Sequence, residues 1–210
     1  MVRERGRLDD LLVVANTRHG PGGHRGTRVR RDGPDHDHLA GPADARHFLV
    51  THDVPVPDLP IDSHALQALR GVREATRGLL GDGAGAADPA LADLFAAARY
   101  RLAADGEMRA DAPGWPGLVM ELLPALVELA AQRDRLRICG NRLCRFVFVD
   151  RSRNGSRVWC EMAVCGNRAK GGRFRHRLGP PAKAGDRDRG MPAAVTLARP
   201  AGHPGARRPE

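Results

Sequence analysis

The chain has 210 residues, with 34 lysines and arginines against 25 aspartates and glutamates, a formal net charge of +9. The charged N-terminus (Met1 to Asp10) and the short apolar run after it, Leu11 to Ala15, exclude a signal-peptide core, and no stretch approaches the roughly 18 apolar residues of a membrane span. A soluble, reducing, cytoplasmic setting is therefore expected, in a chain long enough for one domain plus a small module.

The apolar run Leu11-Leu12-Val13-Val14-Ala15 ends in Asn16-Thr17 and is too short to separate helix from strand. From Arg18 to Asp37 the chain is rich in Gly, Pro, His and charge without an apolar period, so a mobile loop is expected. A short helix over 42–52 carries Phe48, Leu49 and Val50, and Val54-Pro55-Val56-Pro57 then forces an extended link. The clearest helix spans 63–80: Asp62 or Ser63 caps it, Leu66, Leu69, Val72, Thr76 and Leu79 line one face, and Gly81 suits a left-handed end. Another follows over 89–98, capped by Asp88, with Leu91, Leu94, Phe95 and Ala98 as its stripe.

Arg99–Ala103 and Met108–Ala112 then read as a β-hairpin about Asp105-Gly106, the dipeptide suited to a type I′ turn. Residues 117–132 are apolar nearly all round, which marks a buried helix, and Pro124 must kink or divide it. The tail, 178–210, carries six prolines and many glycines and is expected to be disordered, because it cannot bury enough apolar surface to offset its ordering entropy. The fold class expected is α+β, mainly α. It comprises a multihelical domain with one β-hairpin (1–132), a small four-cysteine module (133–177) and the tail.

All four cysteines fall in one window, as Cys139-x4-Cys144-x15-Cys160-x4-Cys165. Two equally spaced pairs, a hairpin's length apart, are what a tetrahedral metal needs, and the ion expected is one structural Zn²⁺. The competing disulfide framework asks for an oxidising compartment, and a redox dithiol would be spaced Cys-x-x-Cys. Charge gathers on the same module. Residues 133–177 hold thirteen basic side chains against Asp134, Asp150 and Glu161, whereas 1–132 hold fifteen basic and nineteen acidic ones. Neutralising a zinc tetrathiolate of formal charge −2 leaves a large excess, as a polyanion-binding face requires.

Within the module, Phe148, Asp150 and Ser152 are followed by Arg157, Trp159, Cys160 and Met162, then by Cys165-Gly166-Asn167-Arg168 and Lys170. This series strongly resembles the CGNR zinc finger. Residues 8–132 more weakly resemble the ABATE domain that precedes that finger, through Asn16-Thr17 after an apolar run, the helix order and the hairpin. The resemblance implies a cytoplasmic bacterial transcription regulator with the finger as its nucleic-acid-binding part, and no enzyme.

Phe146, Phe148, Trp159 and Met162 are expected to form a miniature core under the metal. Gly140 and Gly166 are expected to let backbone N–H groups turn toward the sulfurs. Asp150 is expected to pair with Arg157 or cap a turn, and Asn154-Gly155 to form a turn. The nucleic-acid contacts expected are Arg142, Arg145, Arg151, Arg153, Arg157, Arg168, Lys170, Arg173, Arg175 and Arg177, the last five on or beyond a helix that Gly171-Gly172 threatens to stop.

DNA is favoured over RNA as partner. The helical domain is expected to form a homodimer or to sense a small-molecule effector. Docking of an acidic protein is the alternative, and a zinc enzyme the weakest reading, because four thiolates close the metal's shell. The histidines His36, His38, His47 and His52 lie in or beside an Asp/His-rich loop and read as solvated. The glycine-rich stretches lack a phosphate loop's ending, and no serine sits in a nucleophile elbow.

Overall fold

The computed structural model describes residues 6–21, 35–81 and 89–171, with backbone alone for 89–91. The expected tail, the Asp88 cap and the side chains of Leu91, Arg173, Arg175 and Arg177 lie outside the described residues. The architecture is mainly helical with small hairpins, and a four-cysteine cluster follows the helical region.

Helix α1 (Arg7–Ala15) resolves the ambiguous apolar run, and Leu11 and Val14 are fully buried on it. Strand β1 (Arg18–His19) pairs antiparallel with β2 (His36–Asp37), so the ends of the expected loop are held together. Helix α2 (Pro42–Thr51) buries Phe48 and Leu49 and leaves Val50 exposed. Helix α3 (Ser63–Gly78) starts where the Asp62 carboxylate accepts the Ala65 N–H at 2.7 Å. The chain leaves α3 through Gly81 at φ +76°, a conformation glycine adopts without steric cost. Helix α4 (Pro89–Ala97) turns Leu94 inward, but Phe95, expected on the same stripe, is exposed.

Strands β3 (Tyr100–Leu102) and β4 (Met108–Ala110) form the expected hairpin with a different turn. Ala103 N–H donates to Glu107 O and Gly106 N–H to Ala103 O, which encloses three residues. Gly106 alone among those three has positive φ, whereas a type I′ turn needs two such residues. The connection is thus longer by one residue than the Asp105-Gly106 pair suggests.

Helix α5 (Gly114–Ala131) packs against α1 and α3 to form the core. It is one helix with Pro124 inside it, not two. Proline at position 124 has no N–H to offer the Met120 carbonyl one turn earlier, and the Tyr100 hydroxyl donates to that carbonyl at 2.8 Å instead. The hairpin therefore supplies the hydrogen bond that the proline removes. With 18 residues and a mean hydropathy of 1.3, α5 is long and apolar enough to cross a membrane, contrary to the expectation that no stretch approaches this. Here Val119, Leu122, Leu123 and Leu129 are buried in the protein core.

Strands β5 (Leu136–Ile138) and β6 (Val147–Val149) pair antiparallel, and Leu136 and Val147 belong to the same core as α1, α3 and α5. Asn16 makes the join. Its side-chain amide donates to Val147 O at 2.9 Å and its carbonyl accepts the Val147 N–H at 2.7 Å, closing the open edge of β6 with a two-bond mimic of a neighbouring strand. Thr17 turns back to bond Val14 O, which finishes α1.

Replacing Asn16 with alanine leaves a buried N–H and a buried C=O unpaired, and should lower stability by about 2 kcal/mol or more, read from the denaturant midpoint. Tyr100→Phe, which strips the Met120 carbonyl of its donor, should cost about 1 kcal/mol in the same measurement.

Candidate metal centre

Cys139 directly follows β5, Cys144 closes the turn that leads to β6, Cys160 ends the following loop and Cys165 sits in a π-helical turn, Met162–Gly166. Two of these turns have traceable causes. Asn141 Oδ1 accepts the Leu143 N–H, and Asn141 O accepts the N–H groups of Cys144 and Arg145, bending the chain back. Arg145 takes φ +57° to leave that turn. Gly155, at φ +59°, completes the expected Asn154-Gly155 turn.

The four sulfurs lie within 4.8 Å of one another, and Cys139, Cys144 and Cys165 are buried. Cys160 Sγ stands 3.7 Å from both Cys144 Sγ and Cys165 Sγ. A disulfide would bring two sulfurs to about 2.05 Å, and all four thiols are free. Thiolates about 2.3 Å from a tetrahedral zinc stand about 3.8 Å apart, so the observed spacing is an edge of that tetrahedron. The donor set fits one Zn²⁺ with its shell closed by four thiolates.

Electrostatics point the same way. Hydrogen bonds from the Cys144 and Cys160 thiols hold the Cys139 thiol far below its ordinary range, and that bonding pushes Cys144 and Cys160 up. Only a cation at the centre of the cluster makes four thiolates compatible.

A second, smaller core surrounds the sulfurs, built from Phe148 with Phe146, Trp159 and Val164 packed against it. Met162, expected there, is 52% exposed. Backbone N–H groups do turn toward sulfur after Gly140, where those of Asn141 and Cys160 bond Cys139. The glycines' own N–H groups go elsewhere, Gly140 N–H to Val158 O and Gly166 N–H to Glu161 O. A Cβ on Gly140 would stand 3.2 Å from the Trp159 ring, and one on Gly166 would also lie 3.2 Å from it and 2.1 Å from Met162 Sδ. The indole crowds both positions, and Val158 Cγ1, at 2.8 Å, stands closer still to a Cβ on Gly140.

Asp150 is buried, accepting the Ser152 N–H at 2.9 Å and the Arg157 N–H at 2.7 Å. Hydrogen bonding from the Ser152 side chain, then the backbone N–H groups, holds its carboxyl at about 2. It organises the loop that delivers Cys160, as a turn cap. Its bond to Arg157 runs through that residue's backbone. The Arg157 side chain lies over Phe148, 5.3 Å from the ring centre, and donates to Trp159 O and Cys160 O.

The remaining expected nucleic-acid contacts divide. Arg145 pairs with Asp35 at 3.7 Å and Arg151 with Asp9 at 3.3 Å, both acids of the helical region. Arg142, Arg153 and Lys170 are exposed, with no ion pair among the described residues. Arg168 is half-buried in the helix that continues through 167–171. The finger is seated on the helical region at a further point, where Gly20 N–H donates to Cys144 O at 2.9 Å. A Cβ on Gly20 would stand within 3 Å of backbone atoms of Leu143 and Arg142, so no side chain fits there.

Of the histidines, His36 and His38 come together with Asp44 and with His19, a residue that sequence reasoning missed. His47 is exposed, and His52 turns back to Phe48 O.

The finger of the purified protein should hold one zinc per chain. Cys→Ser at position 144 or 165, both fully buried, should abolish retention, measured as zinc content after desalting. Acidification should release the ion, because protons compete for the thiolates. Gly20→Val should leave metal content at one but lower the melting temperature, since it disturbs only the seating.

Among curated proteins none matches the chain. Two family models do: the CGNR zinc finger over residues 135–178, and over residues 12–133 the ABATE model, described as "Putative stress-induced transcription regulator". With the larger model covering more than half of a chain whose four sulfurs are set for zinc, this protein belongs to the ABATE family and carries a CGNR zinc finger behind that domain.

Proposed function

We propose that the protein is a zinc-dependent nucleic-acid-binding regulator of transcription, acting in the bacterial cytoplasm, with DNA rather than RNA as its partner. The observation that carries this reading is the set of exposed cations Arg142, Arg153 and Lys170, without an ion pair among the described residues, on a module whose four sulfurs are placed for one zinc. Lone surface cations on a mobile chain attract any polyanion. Cations set on a metal-braced scaffold hold fixed distances, which is what registering on phosphates requires. The transcription-regulator description of the family supports the same reading.

Arg157 plays another part in this scheme. Its guanidinium braces the Cys160 loop, so its contribution to binding runs through folding. Arg145 and Arg151 divide their charge between the helical region and any ligand. In the same proposal the helical domain dimerises or takes an effector. A cavity of about 340 Å³ between α3 and α5, lined by Leu59, Ala65, Leu94, Trp115 and Val119, suits a small apolar molecule.

Polarisation titrations against duplex DNA at several salt concentrations test the central claim. The log–log slope should be steep, and Arg142→Ala, Arg153→Ala or Lys170→Ala should each flatten it by about 0.9, the value for one phosphate left unneutralised. Arg157→Ala should instead reduce zinc retention. No binding at low salt would overturn the proposal, and tighter binding to an acidic protein than to DNA would favour a docking role.

A further inference from the structure

Beside the finger, and independent of the proposal above, lies a second group of metal-ligating side chains. His36 Nε2 is 3.3 Å from Asp44 Oδ2, and His38 Nδ1 is 3.0 Å from Asp44 Oδ1. One ligand atom from each of the three residues lies within 4.8 Å of the other two. The three imidazoles of His19, His36 and His38 gather around this point, with ring centres 4.1 to 5.7 Å apart.

The segment is built rather than loosely solvated. Arg73, itself buried, pairs with Asp37 at 2.6 Å, and Arg70 Nε donates to Leu39 O at 3.0 Å, so α3 holds β2 and the turn after it. His38 N–H donates to Thr17 O, and the His38 ring stacks on Phe48 at 4.1 Å.

The hydrogen-bond count in this network is one positive charge short. His19 Nδ1 lies 2.8 Å from Gly20 O, His19 Nε2 lies 3.1 Å from His38 Nε2, and His38 Nδ1 faces Asp44. The series has an oxygen acceptor at each end and three contacts, yet two neutral imidazoles bring only two N–H groups. If His19 donates to Gly20 O and His38 Nε2–H donates to His19, the His38 Nδ1 lone pair is left facing a carboxylate. A cation placed there satisfies both. His36 Nε2 supplies the third ligand, and His36 is 54% exposed, leaving a way in.

The geometry points to a second metal site, in which His36 Nε2, His38 Nδ1 and the Asp44 carboxylate bind a borderline divalent transition ion such as Zn²⁺, Ni²⁺ or Co²⁺. Two imidazoles and a carboxylate are the donor type such ions take, with solvent completing the shell. His19 is a positioning residue. By accepting from His38 Nε2–H it fixes the tautomer that leaves Nδ1 for the ion, and its own Nδ1–H is anchored on Gly20 O. Gly20 is the residue whose N–H bonds Cys144 O, so the site lies one residue from the seat of the finger.

The test uses the full-length protein brought to one equivalent of zinc and titrated with Ni²⁺ by calorimetry, with elemental analysis of both metals after desalting. One Ni²⁺ should bind while the finger's zinc stays at one per chain. His36→Ala and Asp44→Asn, both at partly exposed side chains, should each weaken Ni²⁺ binding about tenfold or more without loss of zinc. His47→Ala should leave it unchanged. His19→Gln should weaken binding less than His36→Ala, as a positioning role requires. Absence of a second ion would overturn the inference, because the network's missing charge would then be a proton. Ni²⁺ binding equally strong in His36→Ala and Asp44→Asn would overturn it too, by placing the ion elsewhere.

Discussion

Four sulfurs within 4.8 Å of one another are the constraint on which the rest of this structure turns. Left to themselves they repel as thiolates, and a single divalent ion converts that repulsion into the strongest local bonding in the molecule. The ion closes two turns, the turns set β5 against β6, and the inner face of that pair is part of the main hydrophobic core through Leu136 and Val147. Metal chemistry and hydrophobic burial are thus joined through two short strands. The finger is joined to the helices by core packing, by the amide of Asn16 and by the close backbone approach at Gly20.

The parts legible in the sequence are those whose causes are local. Leu66, Leu69 and Val72 recur at helical spacing and Asp62 stands before them, so α3 could be read with its cap. The cysteine spacing announced the zinc because short paired turns are themselves local devices. Causes that act across the chain were hidden. Asn16 is an ordinary polar residue until Val147, 131 positions later, lies against it. Gly140 has no room for a side chain because Val158 and Trp159, eighteen or more positions later, lie against it. Pro124 announced a break in α5, but Tyr100, which mends it, belongs to another element.

The histidine-rich loop shows the same limit more sharply. Composition alone describes residues 18–37 as solvated, because Gly, Pro, His and Asp carry no apolar period. What orders its second end is a pair of arginines on α3, distant in the sequence, that reach Asp37 and, just beyond it, Leu39 O. The arginines of the finger make a complementary point. A count of basic residues does not describe a basic surface, since Arg157 is engaged with Phe148 and the Cys160 loop, and Arg145 and Arg151 face acids of the helical region. Arg142, Arg153 and Lys170 keep their charge for the solvent.

The long reach from Asn16 to Val147 also bears on how the molecule is made. A ribosome releases the N-terminal helices well before the strands that complete their core, and domains emerging first generally fold first. Here α1 must wait. Its buried face and its terminal amide stay without their final neighbours until most of the chain has been synthesised, so maturation of the first helix awaits the arrival of β6 and of the ion that sets it.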